Sequence, residues 1–102
     1  MIQLQKTMFA IGRLVATPGA LSAIETLGLS PFHFVSQHAQ GEWGDGLDDE
    51  DKLRNDEALK DGSRIFSSYL LENNEDKLWC ITEAEDENGM RVATTLLLSS
   101  EY

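Results

Sequence analysis

From Met8 to Ala16 the chain is almost continuously apolar, and the run ends at Thr17-Pro18-Gly19. Its length and its Val, Ile and Phe content predict a strand buried on both faces. Thr17 then reads as an N-cap with Pro18 at the first helical position, where a missing N–H costs nothing. Ala20, Leu21, Ile24 and Leu27 follow at helical spacing, and Gly28 supplies the stop. Ser30-Pro31 repeats the start signal. Phe32, Val35 and Ala39 form the apolar stripe of a second helix, with Phe34 and His38 adjoining, and Gly41 closes it. The stretch Gly41-Glu42-Trp43-Gly44-Asp45-Gly46 is turn-rich; its glycines predict a backbone of positive φ, with the Trp43 indole anchoring the loop. Asp48 caps a third helix whose first turn is crowded with acids, as the macrodipole favours. Leu53, Ala58 and Leu59 give that helix only a thin apolar face before Gly62.

At Arg64 the period changes to two. Ile65 to Leu71 predicts a strand, Asn73-Asn74-Glu75-Asp76 a turn, Lys77 to Ala84 a strand, Glu85 to Gly89 a second turn, and Val92 to Leu98 a last strand. The order β-α-α-α-β-β-β predicts one α+β domain over residues 1–102. It comprises an N-terminal strand, three short helices and a three-stranded antiparallel β-meander with helices on one face. The place of the first strand in that sheet is left open.

Composition narrows the class. The 102 residues suffice for one modest core and not for two. No run approaches the roughly 20 apolar residues of a membrane span, and the single cysteine, Cys80, excludes an internal disulfide framework. A soluble cytoplasmic protein is expected.

Charge changes the picture more. The formal net charge is −10, and it is unevenly spread. Residues 1–41 carry one acid and two bases, whereas residues 42–102 carry seventeen acids and six bases. That second portion repels nucleic acid, whose binding relies on Lys and Arg, and anionic membrane surfaces likewise. Direct contact with either is not expected, and a basic or nucleic-acid-binding protein becomes the natural partner.

Candidate chemistry is sparse. His33 and His38 are five apart and point roughly 140° away from each other on a helix, so they do not grip a metal together. The acids Asp45, Asp48, Asp49, Glu50 and Asp51 lack the offsets of a calcium loop, and no metal site or cofactor is expected. Gly41-x-x-Gly44-x-Gly46 lacks the Lys and Ser/Thr of a phosphate loop. Cys80, mid-strand, reads as a small buried hydrophobe. One enzyme reading stands as an alternative: a small metal-independent ribonuclease-like toxin, by analogy of architecture. In it His38 is the base, Arg64 the cation, and Thr82 or Thr94 the hydrogen-bond donors.

A set of motifs recurs in order along the chain: Ala16-Thr17-Pro18-Gly19-Ala20-Leu21, Pro31, His38, Gly41, Trp43-Gly44, Asn55, Ala58-Leu59, Gly62 and Arg64. After them come Ser68-Tyr69, Leu78-Trp79, Ile81-Thr82-Glu83, Thr94-Thr95-Leu96-Leu97 and Glu101-Tyr102. Over residues 8–102 the chain resembles a family of small bacterial proteins found on plasmids and other mobile elements, labelled plasmid-related. The resemblance implies a genomic setting and no chemistry, and the Glu85–Gly89 turn is longer here than in that family. A mobile element gains from small proteins that block host enzymes acting on DNA, and carboxylates placed where phosphates are expected can do this. The expected function is therefore a non-catalytic protein-interaction module with an acidic surface, through Trp43, Asp48, Asp49, Glu50, Asp51, Asp56 and Glu57. A homodimeric adaptor is the other alternative, paired through an edge left by Lys77-Leu78-Trp79 or the last strand, with Trp79 and Tyr69 as anchors.

Overall fold

The computed structural model describes residues 7–72 and 76–102. Of the turn expected at 73–76, only Asp76 is among them. The elements are β1 (Arg13–Ala16), α1 (Pro18–Thr26), α2 (Pro31–Ala39), α3 (Asp49–Asp61), β2 (Ile65–Leu70), β3 (Lys77–Thr82) and β4 (Ala93–Leu98), closed by a 3-10 turn at Ser99–Glu101.

Each helix starts where a side-chain cap meets it. The Ala20 N–H donates to Thr17 Oγ1, the Phe32 N–H to Ser30 Oγ, and the Asp51 N–H to Asp48 Oδ1. Pro18 and Pro31 occupy the first turns of α1 and α2, and Gly62 ends α3.

The class is α+β, but the sheet differs from the expected three-stranded meander. It has four strands in the order β1-β4-β3-β2. β2, β3 and β4 pair antiparallel, and β1 lies parallel to β4 with Ala16 beside Leu96. A parallel neighbour needs a long crossover, which all three helices together with β2 and β3 supply. β3 and β4 are thereby interior, so neither provides the edge expected of them; the edges are β1 and β2. β1 is also far shorter than the apolar run from Met8. Gly12, at φ +62°, turns the chain where a Cβ would overlap the Arg91 carbonyl, and pairing begins only after it.

Alternation sets the layers. Leu78, Cys80 and Thr82 of β3 and Thr94 and Leu96 of β4 are buried beneath the helices, while Trp79, Ile81, Thr95 and Leu97 on the other face are half-buried. Two apolar clusters form under the helices. One joins Ala20, Ile24, Phe34 and Val35 to Tyr69, Leu71, Leu78, Cys80 and Leu96; the other joins Trp43, Leu47, Ala58 and Ile65.

Two helix faces depart from expectation. In α2 the buried face is Phe34, Val35, His38 and Ala39, and Phe32 points to solvent at 68% exposure. In α3 Leu53 is exposed and Asn55 is buried instead. The reason is the edge of β2. Asn55 Nδ2 donates to the Phe66 carbonyl (2.6 Å), and the Phe66 N–H donates to Asn55 Oδ1 (3.0 Å). A primary amide presents an N–H donor and a C=O acceptor side by side, as another strand would. The loop after α2 continues this work: the Ser68 N–H donates to the Trp43 carbonyl, and the Gly46 N–H to the Ser68 carbonyl.

Candidate functional site

Three of the four residues of the enzyme reading meet. His38 projects from α2 onto the sheet, where Nδ1 lies 2.5 Å from Ser67 Oγ and Nε2 lies 2.8 Å from Thr82 Oγ1. Thr82 Oγ1 is 2.6 Å from Thr94 Oγ1, which donates to the Ile11 carbonyl at 2.7 Å. Counting hydrogens fixes the direction from Thr94 to the ring. Thr94 spends its only proton on Ile11, so it accepts from Thr82, and Thr82 in turn accepts from His38 Nε2–H. Burial disfavours the charged ring and pulls the His38 pKa from 6.5 down to about 3. The imidazole is therefore neutral in its Nε2–H tautomer, and its bare Nδ1 accepts from Ser67.

This polar seam is sealed. His38, Ser67, Thr82 and Thr94 are each 0% exposed. The rings of Phe9 and Trp43 meet the imidazole edge-on, at 5.1 and 6.0 Å between centroids. Both ring nitrogens are consumed by the fold, which leaves His38 no lone pair for a substrate proton.

Arg64 is not brought to the seam. It is exposed, beside a hollow of about 190 Å³ on the uncovered sheet face with Phe66, Trp79, Ile81 and Tyr102. The buried cation is Arg91, which sequence reasoning missed. Its guanidinium donates to the carbonyls of Ser63 (2.7 Å), Glu83 (2.9 Å) and Ala58 (3.1 Å) and stands 5.9 Å from the Phe9 ring centroid. One side chain thus ties the C-terminal end of α3, a position that favours positive charge, to the turn after β3.

The residues of the binding reading fall into two groups. Trp43 is buried at 6% exposure, stacked on Phe9, with Nε1–H donating to Asp56 Oδ1 at 3.4 Å. It holds the loop to α3, and its indole is not offered to a partner. Asp48, Asp49, Glu50, Asp56 and Glu57 are exposed, and Asp51 is half-buried. Among the described residues, the ion pairs on this helix are those of Arg54 with Glu50 (3.4 Å) and with Asp51 (3.9 Å). The fold adds acids that the sequence alone did not connect to α3. The Glu85 N–H donates to the Gly62 carbonyl, which brings exposed Glu85 to the end of the helix, in a turn that also carries exposed Glu83, Asp86 and Glu87.

Other candidates resolve simply. His33 is exposed and paired with Gln37 on its own helix. Among the described residues, no group of His, Cys, Asp and Glu is arranged to hold a metal ion. Cys80 is fully buried, and burial pushes its thiol well above the ordinary range. Tyr69, an expected anchor, is buried with its hydroxyl donating to the Glu42 carbonyl. Among the described residues the arginines do not gather into a groove: Arg13 and Arg64 lie toward opposite edges of the sheet, and Arg91 is buried. No helix among the described residues is long and apolar enough to cross a membrane. Comparison with family models, curated proteins and solved structures finds no match.

Proposed function

We propose that the protein is a non-catalytic interaction module whose acidic α3 docks a basic, nucleic-acid-binding protein in the cytoplasm. The resemblance to plasmid-related proteins suggests that this partner is a host enzyme which the mobile element gains by blocking. One observation carries the reading. Asp49, Glu50, Asp56 and Glu57 stand exposed on a helix whose opposite side is pinned to the sheet by Asn55 and Arg91. α3 spans roughly 20 Å at 1.5 Å per residue, and the turn after β3 sets Glu85 at its end. Fixed negative groups over such a distance attract a surface built for phosphates, and the attraction is salt-sensitive. His38, Thr82 and Thr94 are spent on the fold, and Arg64 stands apart from them.

Asp49, Glu50, Asp56 and Glu57 changed together to Asn or Gln test this. Asp48 is spared as the cap. Capture from a host lysate should yield a DNA- or RNA-binding protein at roughly 0.1 M salt, weakened at roughly 1 M, where the Debye length falls to about 3 Å. The neutralised variant should lose it. Capture unchanged by the four substitutions overturns the reading.

A further inference from the structure

The two edges of the sheet are treated unlike. On β2, Asn55 occupies the outward N–H and C=O of Phe66, and the Trp43–Gly46 loop occupies those of Ser68. On β1, the Arg13 N–H donates to the Val92 carbonyl and the Thr17 N–H to the Leu96 carbonyl, both toward β4. By alternation Leu14 and Ala16 turn their backbone groups outward, and no described backbone group lies beside them as a partner. β1 contains no proline and no bulge, and Arg13 is its only charge. Such an edge is a template for another strand.

Charge says which strand. A chain of net charge −10 repels its own copies, but β1, α1 and α2 belong to the part that carries one acid and two bases. The acidic α3 packs at β2, the far edge. Two copies joined at β1 make a continuous eight-stranded sheet and leave the two acidic helices beyond its ends, at least roughly 34 Å apart at strand spacing. That is several Debye lengths at physiological salt.

We propose that β1 is the seam of a homodimer, in which two β1 strands pair antiparallel about a two-fold axis at Val15. In that register Leu14 and the partner's Ala16 exchange both backbone bonds, as do Ala16 and the partner's Leu14. A large side chain faces a small one on the helix side of the sheet. Val15, 42% exposed, faces its own copy in the close, non-hydrogen-bonded position. Arg13, which has no ion pair among the described residues, comes opposite the partner's Thr17. The Thr17 hydroxyl donates to Glu101 Oε1 at 2.7 Å, so a carboxylate waits there for the guanidinium. The interface is small, and the dimer is a weak one. This inference does not rest on the acidic-surface reading.

Sedimentation velocity on the full chain from roughly 1 to 300 µM tests it, a range suited to an interface of this size. Expected is a monomer–dimer equilibrium that added salt changes little, because the acidic helices already stand several Debye lengths apart, whereas capture through α3 weakens with salt. Val15→Lys sets two like charges face to face and should give monomer throughout, with an unchanged circular dichroism spectrum. Ile81→Lys, on the uncovered sheet face, should leave the dimer intact. Val15→Cys should oxidise to a covalent dimer, since Cα atoms about 4.5 Å apart suit a disulfide. Monomer at every concentration, a dimer that survives Val15→Lys, or a dimer lost in Ile81→Lys would each overturn the seam.

Discussion

His38 makes the stability of this protein depend on pH in a way that can be worked out. The perturbation is His38→Gln, which keeps hydrogen-bonding capacity and removes the titrating group. In the folded chain the imidazole titrates at about 3 instead of 6.5, because burial disfavours its charged form. Between those values the unfolded chain binds a proton that the folded chain refuses. Folding stability therefore falls as pH drops below 6.5, by about 1.4 kcal/mol per unit. Integrated, the wild type loses about 2 kcal/mol from this group between pH 7 and 5, and about 3 kcal/mol by pH 4. Asp61 has its carboxylate lowered by the Ser63 side-chain and backbone hydrogen bonds, so it adds a slope of the same sign below its unfolded pKa. That contribution is common to both proteins and cancels in the difference. Urea unfolding at pH 7, 6, 5 and 4 reads the result: the variant is less stable at pH 7, and the gap closes by about 2 kcal/mol by pH 5 and about 3 kcal/mol by pH 4. An independent check is the ring nitrogen spectrum, which should show the neutral Nε2–H tautomer still present at pH 5. Equal slopes for the two proteins, or an imidazolium at pH 5, would refute the bond direction assigned to the seam.

Two further substitutions test how α3 and its loop are held. Asn55→Ala strands the backbone donor and acceptor of Phe66 and should cost about 2–4 kcal/mol in urea unfolding, with exchange of the Phe66 amide accelerated. Gly44→Ala forces a Cβ at φ +91° into the Ser68 carbonyl and should cost about 2 kcal/mol or more, read as a lowered midpoint, whereas an unchanged midpoint would place the loop away from β2.

What could be read ahead of the structure divides along local and long-range lines. Helix starts are local events: Thr17-Pro18, Ser30-Pro31 and Asp48 each declare a cap within four residues, and all three helices begin there. The strands of the meander announce themselves by alternation. The place of β1 does not, because its pairing partner lies about eighty residues away and its length is cut by a backbone angle at Gly12. Hydropathy misleads where a polar group carries out a backbone's task. Asn55 is buried and Leu53 exposed because the neighbour is a strand edge that needs a donor and an acceptor. His38 was singled out with Thr82 and Thr94, and they do meet, but nothing in their spacing told that every proton among them was already committed. Arg91 carried no signal at all, since a lone arginine after a turn gives no hint of three carbonyls converging on it.

The thin apolar face of α3 and its acidity have a common consequence. A helix with only Ala58 and Leu59 to bury gains little from the hydrophobic effect, and one of thirteen residues is marginal alone. Its attachment therefore falls to directional bonds: Asn55 to β2, Arg91 to the last turn, and the Trp43 indole to Asp56. Directional bonds fix rotation as well as distance, whereas a greasy contact tolerates sliding. A carboxylate array held this way keeps its spacing, which is what distinguishes a shaped negative surface from an acidic tail that merely repels. On the interaction reading proposed above, Asn55→Ala should weaken partner capture even though Asn55 is buried and carries no charge. Capture that persists undiminished in a folded Asn55→Ala protein would reduce the role of α3 to net charge alone.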